Sequence, residues 1–426
     1  MIKHLKILNV GPSSNMELEF GKRLNLLTGD NGLGKSFLLD IIWWALTRRW
    51  PAEVNPRLTE GKKALPPPEK QAQISFSFSS KSRKLTYTSQ FERKTQSWTG
   101  KQGRPANPGL VLYAMSDGSF AVWDPSRNYW ISRNGMDVQE RVPAYVFSPN
   151  EVWNGLQDAN GNWLCNGLIR DWASWYKESA EPFEYLKQIL EVLSPSMKER
   201  LTPGKLVRIG LDDIRDIPTI RMPYHQDVAV VHASSGMRRI IALAYFLVWS
   251  WEEHKQAARQ LGEETTNQIT FLVDEVESHL HPSWQRSIIP AILSVMEKLT
   301  KNTETQLIAT THSPLVMTSV EPLFDVKKDA WFDLDLKGEE VVLRSMEFEK
   351  HGDISNWLVS DAFDLKSGRA IEYECLINEA ASLLNENRPD KKEVLKMYHK
   401  LKQALDQKDN FLFRWRLICE KKGLLE

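Results

Sequence analysis

The pattern of apolar and polar positions at the start of the chain predicts short strands followed by a buried helix. The runs IKHLKILNV (2–10), MELEF (16–20) and LNLLTG (24–29) are rich in strand-forming residues and are separated by turn residues. KSFLLDIIWWALTRRW (35–50) changes to a helical period and is apolar on most of its surface, so we expect this helix to be largely buried. The Pro-rich, charged stretch 50–70 predicts an irregular loop.

Between residues 72 and 148 the apolar and polar positions alternate with a period near two. Such alternation is typical of strands with one buried face, and we predict a meander of antiparallel strands. The runs are AQISFSFSS, KLTYTSQFE, LVLYAM, SFAVWD and PAYVFS. From about residue 162 to about residue 200 the spacing becomes helical, which predicts a helical part after the strands.

The second half of the chain predicts parallel strands. A helical run opens at Ser234, and the apolar strand NQITFLVDE (267–275) comes after it. The helix SWQRSIIPAILSVMEKLTK (283–301) and the strand TQLIATTHS (305–313) follow. A strand–helix–strand succession at this spacing implies parallel pairing through a crossover helix. After about residue 355 the chain is helical and charged, and the fold class that we predict is α/β.

Composition limits the environment and the partners of the protein. Lys+Arg and Asp+Glu both number 55, so net charge gives no support to nucleic-acid binding, although a local basic face could bind nucleic acid. Cys165, Cys375 and Cys419 have neither disulfide nor zinc-site spacing. No apolar run approaches about 18 residues, and the N-terminus MIKHLKILNV carries no signal-peptide pattern. We therefore expect a cytoplasmic protein without a membrane partner.

The segment GDNGLGKS (29–36) matches the phosphate-binding pattern G-x-x-x-x-G-K-[ST], and it lies between a predicted strand and a predicted helix. Its glycines allow backbone N–H groups to face a phosphate, and the helix N-terminus adds partial positive charge. Lys35 would reach the β- and γ-phosphates, and Ser36 would ligate Mg²⁺. A Gly-rich turn between a strand and a helix can also arise by chance, so the assignment of a nucleotide site needs support from other motifs. The predicted nucleotide-binding residues are Gly29, Asn31, Gly32, Gly34, Lys35 and Ser36.

Two further strand ends carry side chains of matching chemistry. FLVDE (271–275) ends in two carboxylates, of which Asp274 would hold Mg²⁺ and Glu275 would activate the attacking water as a general base. LIATTHSP (307–314) contains His312, which can sense a γ-phosphate by hydrogen bonding. Alone, His312 would be a structural residue. Because it ends the third strand in the expected chain order, we favour a catalytic role for it beside Glu275.

In chain order, GDNGLGKS, ASSGMRRIIALA (233–244), ITFLVDEVESHLHP (269–282) and TTHSP (310–314) resemble the ABC-type ATPases of the SMC and RecF group. Within this group, the chain is most similar to the stand-alone AAA ATPases of bacterial anti-phage systems. These include PtuA of Septu, the ATPases of Septu-like retrons, the OLD-family ATPases and the PARIS ATPase. The resemblance covers residues 1–50 and 225–320. It implies an ABC-type P-loop ATPase head with a mixed central sheet, and ATP and Mg²⁺ as its ligands.

The resemblance also implies that two heads enclose two nucleotides, with a signature motif from one head facing the nucleotide of the other. Ser234, Ser235 and Gly236 stand at this motif and begin a helix, so they could face a γ-phosphate across the interface. Met237 replaces the usual second glycine, and Arg238 replaces the usual following polar residue. A plain helix N-cap explains the same serines, and both interpretations can hold together.

Two more features of the family have counterparts in the chain. ESHLHP (277–282) corresponds to the dimer-facing D-loop, and because the family uses this segment structurally, we do not favour a metal pair at His279 and His281. The family also has a glutamine loop that contacts Mg²⁺ and water. Asn150 and Gln157 are the candidates for its polar residue.

The sequence predicts three parts. A discontinuous ABC-type ATPase domain would span 1–50 and 225–325, around a β-meander and helical insertion at 51–224. A mostly helical C-terminal region, 326–426, would offer a docking surface for a partner. The segment between the two ATPase parts lacks heptads, which excludes a long coiled-coil arm. No nuclease pattern is convincing, so an intrinsic nuclease is not expected.

Two regions could bind the partner or nucleic acid on which the ATPase acts. The tryptophans interleaved with arginines in 123–175 could stack nucleobases or anchor a partner, or they could pack a small β-rich subdomain. The tail 387–423 carries eleven Lys and Arg against five Asp and Glu. It would form either solvated helices or a docking surface.

The main hypothesis is an ATP-binding and ATP-hydrolysing subunit of a bacterial anti-phage defence complex. It would dimerise through ATP and control a separately encoded effector, for which a nuclease is expected. The defence role is implied by the resemblance alone. The alternatives are a RecF-like DNA-repair ATPase that binds DNA, and an assembly scaffold that binds ATP with little turnover. Glu275 and His312 argue against the scaffold.

Overall fold

The chain divides into two units, Met1–Gly352 and Asp353–Glu426. The computed structural model describes residues 1–426 except 81–82, 101–104, 139–140, 301–302, 364, 386–388, 407 and 426. All the described strands belong to the first unit, and the described part of the second unit is built from helices.

The described strands and helices are numbered separately in chain order. The strands are β1 (Ile2–Leu8), β2 (Asn15–Glu19), β3 (Leu24–Gly29), β4 (Gln73–Ser80), β5 (Arg83–Glu92), β6 (Ser97–Trp98), β7 (Leu110–Ala114), β8 (Phe120–Trp123), β9 (Ile131–Arg133), β10 (Met136–Val138), β11 (Tyr145–Phe147), β12 (Leu156–Gln157), β13 (Trp163–Cys165), β14 (Thr202–Pro203), β15 (Thr219–Arg221), β16 (Asp227–Ala229), β17 (Gln268–Val273), β18 (Glu304–Thr310), β19 (Ala330–Lys337) and β20 (Glu340–Met346). The α-helices are α1 (Lys35–Thr47), α2 (Pro51–Val54), α3 (Pro125–Asn128), α4 (Pro149–Asn154), α5 (Leu168–Glu178), α6 (Glu181–Val192), α7 (Ser235–Leu261), α8 (Pro282–Gln285), α9 (Ile288–Leu299), α10 (Pro314–Val320), α11 (Ile354–Leu358), α12 (Ile371–Asn385), α13 (Lys391–Ala404) and α14 (Asn410–Lys421).

The central sheet of the first unit is mixed. Its described strands follow the order β11-β8-β7-β17-β18-β3-β19-β20. The inner strands from β7 to β19 are parallel, and β8, β11 and β20 are added by antiparallel pairing. Helices α8 and α9 connect β17 to the parallel β18, as the strand–helix–strand pattern predicts. The predicted α/β class with a mixed central sheet is confirmed.

Helix α1 lies between the central sheet and a second, antiparallel sheet. The second sheet has the order β2-β1-β4-β5-β6, and α1 contacts β1 in this sheet as well as β3 and β7 in the central sheet. Ile41, Ile42 and Trp43 have no exposed surface, because neighbours cover the helix on opposite sides. The predicted burial of this helix is confirmed, and it anchors the loop that precedes Lys35.

The alternating strands between residues 72 and 148 do not form one meander. β4 and β5 extend the sheet of β1, whereas β7, β8 and β11 join the central sheet, where β7 is parallel to β17. β4 (QISFSFSS) alternates as predicted, but β7 (LVLYA) is apolar and buried at every position. A continuous apolar run is typical of a parallel strand covered on both faces, and our period-two interpretation did not separate it from the alternating strands. In the stretch that we expected to be irregular, Pro51–Val54 forms one helical turn with Pro51 at its first position.

The central sheet also crosses the predicted domain boundaries. β7, β8 and β11 come from 51–224, which we predicted as an insertion, yet they complete the sheet. β19 and β20 follow residue 325, where we expected helices, and the first unit ends at Gly352. β19 pairs with β3, and a pairing between segments so far apart in the chain leaves no trace in a local sequence window.

The tryptophans of 123–175 have different surroundings. Trp123 and Trp172 are buried, as the packing interpretation expects. Trp163 is half exposed, and the guanidinium of Arg170 lies 4.5 Å from the centre of its ring. Trp163 therefore offers an accessible ring with a cation beside it, which suits a stacking role.

The second unit has its own apolar core. Helices α12, α13 and α14 pack through Val394, Leu401, Trp415 and Cys419, which are buried. The indole N–H of Trp415 donates a 2.9 Å hydrogen bond to the Ala380 carbonyl oxygen. The helical character predicted after about residue 355 is confirmed. In the part of the chain that the structure describes, no helix has the length and apolarity needed to cross a membrane.

Candidate nucleotide-binding site

Three of the predicted motifs meet at one edge of the central sheet. β17, β18 and β3 are parallel neighbours, so their carboxyl ends lie side by side. The segment 29–36, with Asn31 exposed, follows β3, and Asp274 and Glu275 follow β17. His312 comes two residues after β18 ends. The structure therefore brings together residues that the sequence predicted from separate patterns.

The backbone of segment 29–36 requires glycine. Gly29, Gly32 and Gly34 have φ angles of 124°, 80° and 99°, in the region that side chains disfavour. At Gly29 a Cβ atom would also lie 2.1 Å from the carbonyl oxygen of Leu334 in β19. A loop with this backbone can direct successive N–H groups toward one anion.

Lys35 begins α1 and turns its ammonium group back into the loop. Its Nζ donates hydrogen bonds to the carbonyl oxygens of Gly29, at 2.8 Å, and Asp30, at 2.7 Å. Burial lowers the pKa of Lys35, and the nearby Asp274 carboxylate opposes this shift. Ser36 is the next residue of the helix and is exposed. A cation and a hydroxyl group therefore lie at the start of α1, where an anion would also meet the positive end of the helix.

Asp274 has one carboxylate oxygen bound to the protein and one without a partner. Oδ1 accepts a 2.6 Å hydrogen bond from the hydroxyl of Thr310, which in turn accepts one from the Glu275 backbone N–H at 2.7 Å. Oδ2 is buried and has no hydrogen-bond partner within the described residues. Burying an unpaired carboxylate oxygen is costly, and hard oxygen ligands suit Mg²⁺. Oδ2 of Asp274 therefore fits the predicted Mg²⁺ site, and Ser36 as a second ligand stays a prediction.

Glu275 and His312 lie close to each other at the open side of the site. Nε2 of His312 is 4.0 Å from Oε1 of Glu275, and their side chains are 27% and 39% exposed, respectively. Burial and the Lys35 ammonium lower the pKa of His312, which favours the neutral ring at neutral pH. Glu275 has a φ angle of 43°, a strained conformation for a residue with a side chain.

Glu277 is a part of the site that the sequence did not suggest. Its carboxylate accepts a 2.5 Å hydrogen bond from the His312 backbone N–H and a 2.7 Å bond from the Thr311 hydroxyl. These bonds connect the segment after β17 to the segment after β18 and position His312. Burial raises the pKa of Glu277. Its place two residues after Glu275, within the acidic run DEVE, is the signal that could have identified it.

Two more acidic side chains lie near Asp274. Asp40 on α1 accepts a 3.1 Å hydrogen bond from the Tyr113 hydroxyl, and burial raises the pKa of Asp40 well above its ordinary range. Glu60 accepts a 2.5 Å bond from the Ser116 hydroxyl, and burial raises its pKa as well. Asp40 interrupts an otherwise apolar helix, which is a readable signal. Glu60 lies in the stretch that we expected to be irregular and gives no such signal.

The predicted signature residues begin α7. Ser234 caps this helix, since its hydroxyl oxygen accepts a 3.4 Å hydrogen bond from the Met237 N–H, so the plain N-cap interpretation is confirmed. Ser234 and Ser235 are exposed. Gly236 is buried, and a Cβ atom there would lie 2.7 Å from the His279 carbonyl oxygen. The start of α7 therefore packs on the segment that follows Glu275, while its contact with a second head stays a prediction.

The structure does not bring Asn150 and Gln157 together with the other predicted residues. Asn150 lies on α4, which follows β11, and β11 is separated from β17 by β8 and β7. Its side-chain oxygen accepts a 2.7 Å hydrogen bond from Asn154. Gln157 is exposed in β12, which pairs with β13. The loop after β7 borders the site instead, because β7 is the neighbour of β17 and strand order is not visible in the sequence.

Fold and site together define a P-loop ATPase head of the ABC type. The predicted phosphate-binding segment follows β3, the Asp-Glu pair follows β17, the histidine follows β18, and a serine-glycine turn begins α7. A protein-family model described as "AAA domain, putative AbiEii toxin, Type IV TA system" matches residues 24–318. The chain belongs to this family.

Curated relatives agree with this assignment. The "Septu protein PtuA" of Bacillus thuringiensis is 22% identical over 408 residues, which cover 94% of this chain and 93% of the relative. The "Retron Ec83 probable ATPase" of Escherichia coli is 26% identical over 230 residues, which cover 51% of this chain and 36% of the relative. The SMC head domain from Thermotoga maritima aligns with 82% of this chain and 99% of its own, at 15% identity and a TM-score of 0.39. The resemblance to Septu and retron ATPases that we predicted from the motifs is confirmed.

Proposed function

We propose that the protein is the ATP-binding and ATP-hydrolysing subunit of a bacterial anti-phage defence complex in the cytoplasm. The observation that carries the ATPase part is the convergence of Lys35, Asp274, Glu275 and His312 at one edge of the central sheet. The defence part is supported by the similarity to a Septu protein and to a retron ATPase.

The segment 29–36 would bind the phosphates of ATP. Its backbone N–H groups and the N-terminus of α1 favour an anion. Lys35 already reaches the loop carbonyl oxygens, and a phosphate would compete for its protons because an anion is the stronger acceptor. Ser36 Oγ and Asp274 Oδ2 would hold Mg²⁺, which supplies positive charge beside the phosphates.

Glu275 would accept a proton from the attacking water. Its carboxylate is 39% exposed, so a water molecule at the nucleotide can reach it, and its backbone N–H is held by Thr310. His312 would donate a hydrogen bond to the γ-phosphate. Because burial lowers its pKa, the ring is neutral at neutral pH and one ring nitrogen carries the proton for this bond.

A second copy of the chain would complete the site. Ser234 and Ser235 are exposed at the N-terminus of α7, where hydroxyl groups and backbone N–H groups suit a phosphate. In a symmetric pair, each head would offer this turn to the nucleotide that the other head binds, so that two ATP molecules would be enclosed.

Lys35→Ala should remove most of the affinity for ATP. The substitution deletes the ammonium group that reaches into the phosphate loop, and charge-assisted hydrogen bonds contribute about 1.5–3 kcal/mol, so a loss of about 10- to 150-fold is expected. Isothermal titration calorimetry with ATP and Mg²⁺ measures it. Lys22→Ala, an exposed lysine before β3, is the control and should bind normally. An unchanged affinity in Lys35→Ala would refute the phosphate-loop assignment.

A separately encoded effector, for which we expect a nuclease, would receive the output of the ATPase. The second unit suits a protein partner, since Leu395 on α13 and Phe413 on α14 are 48% and 66% exposed. The excess of basic residues in 387–423 would add charge attraction to an acidic partner or weak contact with nucleic acid.

Expression with the neighbouring genes tests the effector part. A second protein with a nuclease domain should co-purify in a fixed ratio, as identified by mass spectrometry. Phe413→Asp should remove this protein, because a charge in an apolar contact is costly. Met136→Asp, at an equally exposed methionine of the first unit (68%), should retain it. A preparation that contains DNA and no second protein would favour the RecF-like repair ATPase.

A further inference from the structure

Arg239, in the first turns of α7, binds the backbone of the catalytic segment of its own chain. Nη1 donates a 2.7 Å hydrogen bond to the Ser116 carbonyl oxygen. Nη2 lies 3.1 Å from the carbonyl oxygen of Asp274, 3.4 Å from that of Glu275 and 3.4 Å from that of Met115. One guanidinium group therefore joins the ends of two neighbouring strands, β7 and β17, to the start of α7.

The surroundings of Arg239 differ from those of an arginine in an ordinary ion pair. Arg23, for example, pairs with the carboxylate of Asp329, whereas the described hydrogen bonds of Arg239 all end on main-chain oxygens. Burial lowers the pKa of Arg239, and the charges of Asp274 and Glu275 oppose this shift. Its charge balances nearby acids at longer range, while its hydrogen bonds hold the backbone in place.

The peptide groups of Glu275 need such support. Glu275 has a φ angle of 43°, and a strained residue keeps its conformation only when its surroundings hold it. Its backbone N–H is bound by the Thr310 hydroxyl at 2.7 Å, and Arg239 lies against its carbonyl oxygen. The direction of the Glu275 side chain therefore depends on contacts at both of its peptide groups.

We propose that Arg239 is a positioning residue that orients Glu275 of its own head for catalysis. Arg239 lies on α7, and in the proposed dimer the first turn of α7 contacts the nucleotide that the other head binds. The inference rests on the proposed function and adds one residue to it. It is supported by Gly236, one turn earlier, whose Cα lies so close to the His279 carbonyl that a Cβ would be 2.7 Å from that oxygen. The start of α7 therefore contacts the segment around Glu275 at two successive turns, through Gly236 and through Arg239.

Two defective chains allow this role to be assigned to one head. A chain with Lys35→Ala, the signature-only chain, can supply its serine-glycine turn, but its own nucleotide site is empty at low ATP concentration. A chain with Ser235→Arg, the P-loop-only chain, can bind nucleotide and supply Glu275, but it has no working signature turn. Their mixed dimer has one complete site, in which Glu275 comes from the P-loop-only chain.

Arg239→Gln should lower kcat about 10- to 100-fold when it is added to the P-loop-only chain, because small displacements of a catalytic group cost about this much. KM for ATP should change little, since the segment 29–36 is untouched. The same substitution in the signature-only chain should have a much smaller effect. Arg239→Lys should restore part of kcat, because it keeps the charge but cannot reach several carbonyl oxygens with a planar group. Arg259→Gln, exposed near the far end of α7, is the control.

Each result has a defined meaning. If the mixed dimer without changes at Arg239 is inactive, the proposed two-headed site fails and the inference falls with it. If that dimer is active but Arg239→Gln in the P-loop-only chain leaves kcat unchanged, only the inference is overturned. Equal losses in the two chains would also overturn it, because Arg239 would then act on the signature turn. Retained ATP affinity, and partial rescue by Arg239→Lys, exclude misfolding as the cause of a loss.

Discussion

Glu275→Gln should stop ATP hydrolysis, retain ATP binding and accumulate ATP-bound dimers. Glutamine keeps the size of the side chain and leaves the backbone contacts with Thr310 and Arg239 in place, but it cannot accept the proton of the attacking water. General-base catalysis contributes about 100- to 10,000-fold, so kcat should fall by at least the lower value. Phosphate release measures turnover, and light scattering during size-exclusion chromatography in ATP measures the dimer.

The outcome separates the two parts of the proposal. Glu264→Gln, at an exposed glutamate before β17, is the control and should hydrolyse ATP like the wild type. Wild-type turnover in Glu275→Gln would mean that Glu275 is not the base. If Glu275→Gln binds ATP and hydrolyses it slowly but stays monomeric, Glu275 is still supported as the base, and the ATP-enclosing dimer is refuted.

Mixing two inactive variants should restore ATP hydrolysis. At ATP concentrations well below its weakened Kd, Lys35→Ala alone leaves both heads without nucleotide. Ser235→Arg alone leaves neither nucleotide with a signature turn, because arginine is too large for a close phosphate contact. If the two chains pair at random in an equimolar mixture, half of the dimers contain both chains, and each of these has one complete site. The expected rate is therefore about one quarter of the wild-type rate for a freely exchanging symmetric dimer.

The matched control is a chain that carries both substitutions. Both chains in its mixture with Lys35→Ala lack the Lys35 ammonium, so no complete nucleotide site can form and the mixture should stay inactive. If the Lys35→Ala and Ser235→Arg mixture is equally inactive while both proteins fold and exchange, the signature turn does not act in trans. If Ser235→Arg alone hydrolyses ATP at the wild-type rate, Ser235 does not contact the nucleotide of either head.

The sequence predicts the site best where the chemistry lies in consecutive residues. The segment 29–36 contains its glycines, Lys35 and Ser36 within eight positions, and Asp274 and Glu275 are adjacent at the end of an apolar strand. The same is true of the parallel pair β17 and β18, because strand, crossover helix and strand follow one another directly. Hydrophobic period and short motifs are local signals, and they suffice for features that are local in the chain.

The parts that the sequence did not predict depend on contacts between distant segments. The continuous apolar run of β7 favours a strand buried on both faces, but it does not indicate that β7 lies beside β17 in the central sheet while β4 joins the sheet of β1. For this reason Asn150 and Gln157 were chosen as candidates, whereas the loop that borders Asp274 follows β7. Glu60, which approaches the site from the stretch that we expected to be irregular, was missed for the same reason.

By itself, then, the amino-acid sequence determined the parallel α/β character of this protein and the candidate site, namely the predicted phosphate-binding segment, the Asp-Glu pair and the histidine. Only the tertiary structure decided which strands flank the site, that the first unit continues to Gly352, and that Arg239 and Glu277 form hydrogen bonds with the segments that follow β17 and β18. The physical reason is that a short motif is specified by neighbouring residues, whereas strand order and backbone support arise from packing and hydrogen bonds between segments that are far apart in the chain.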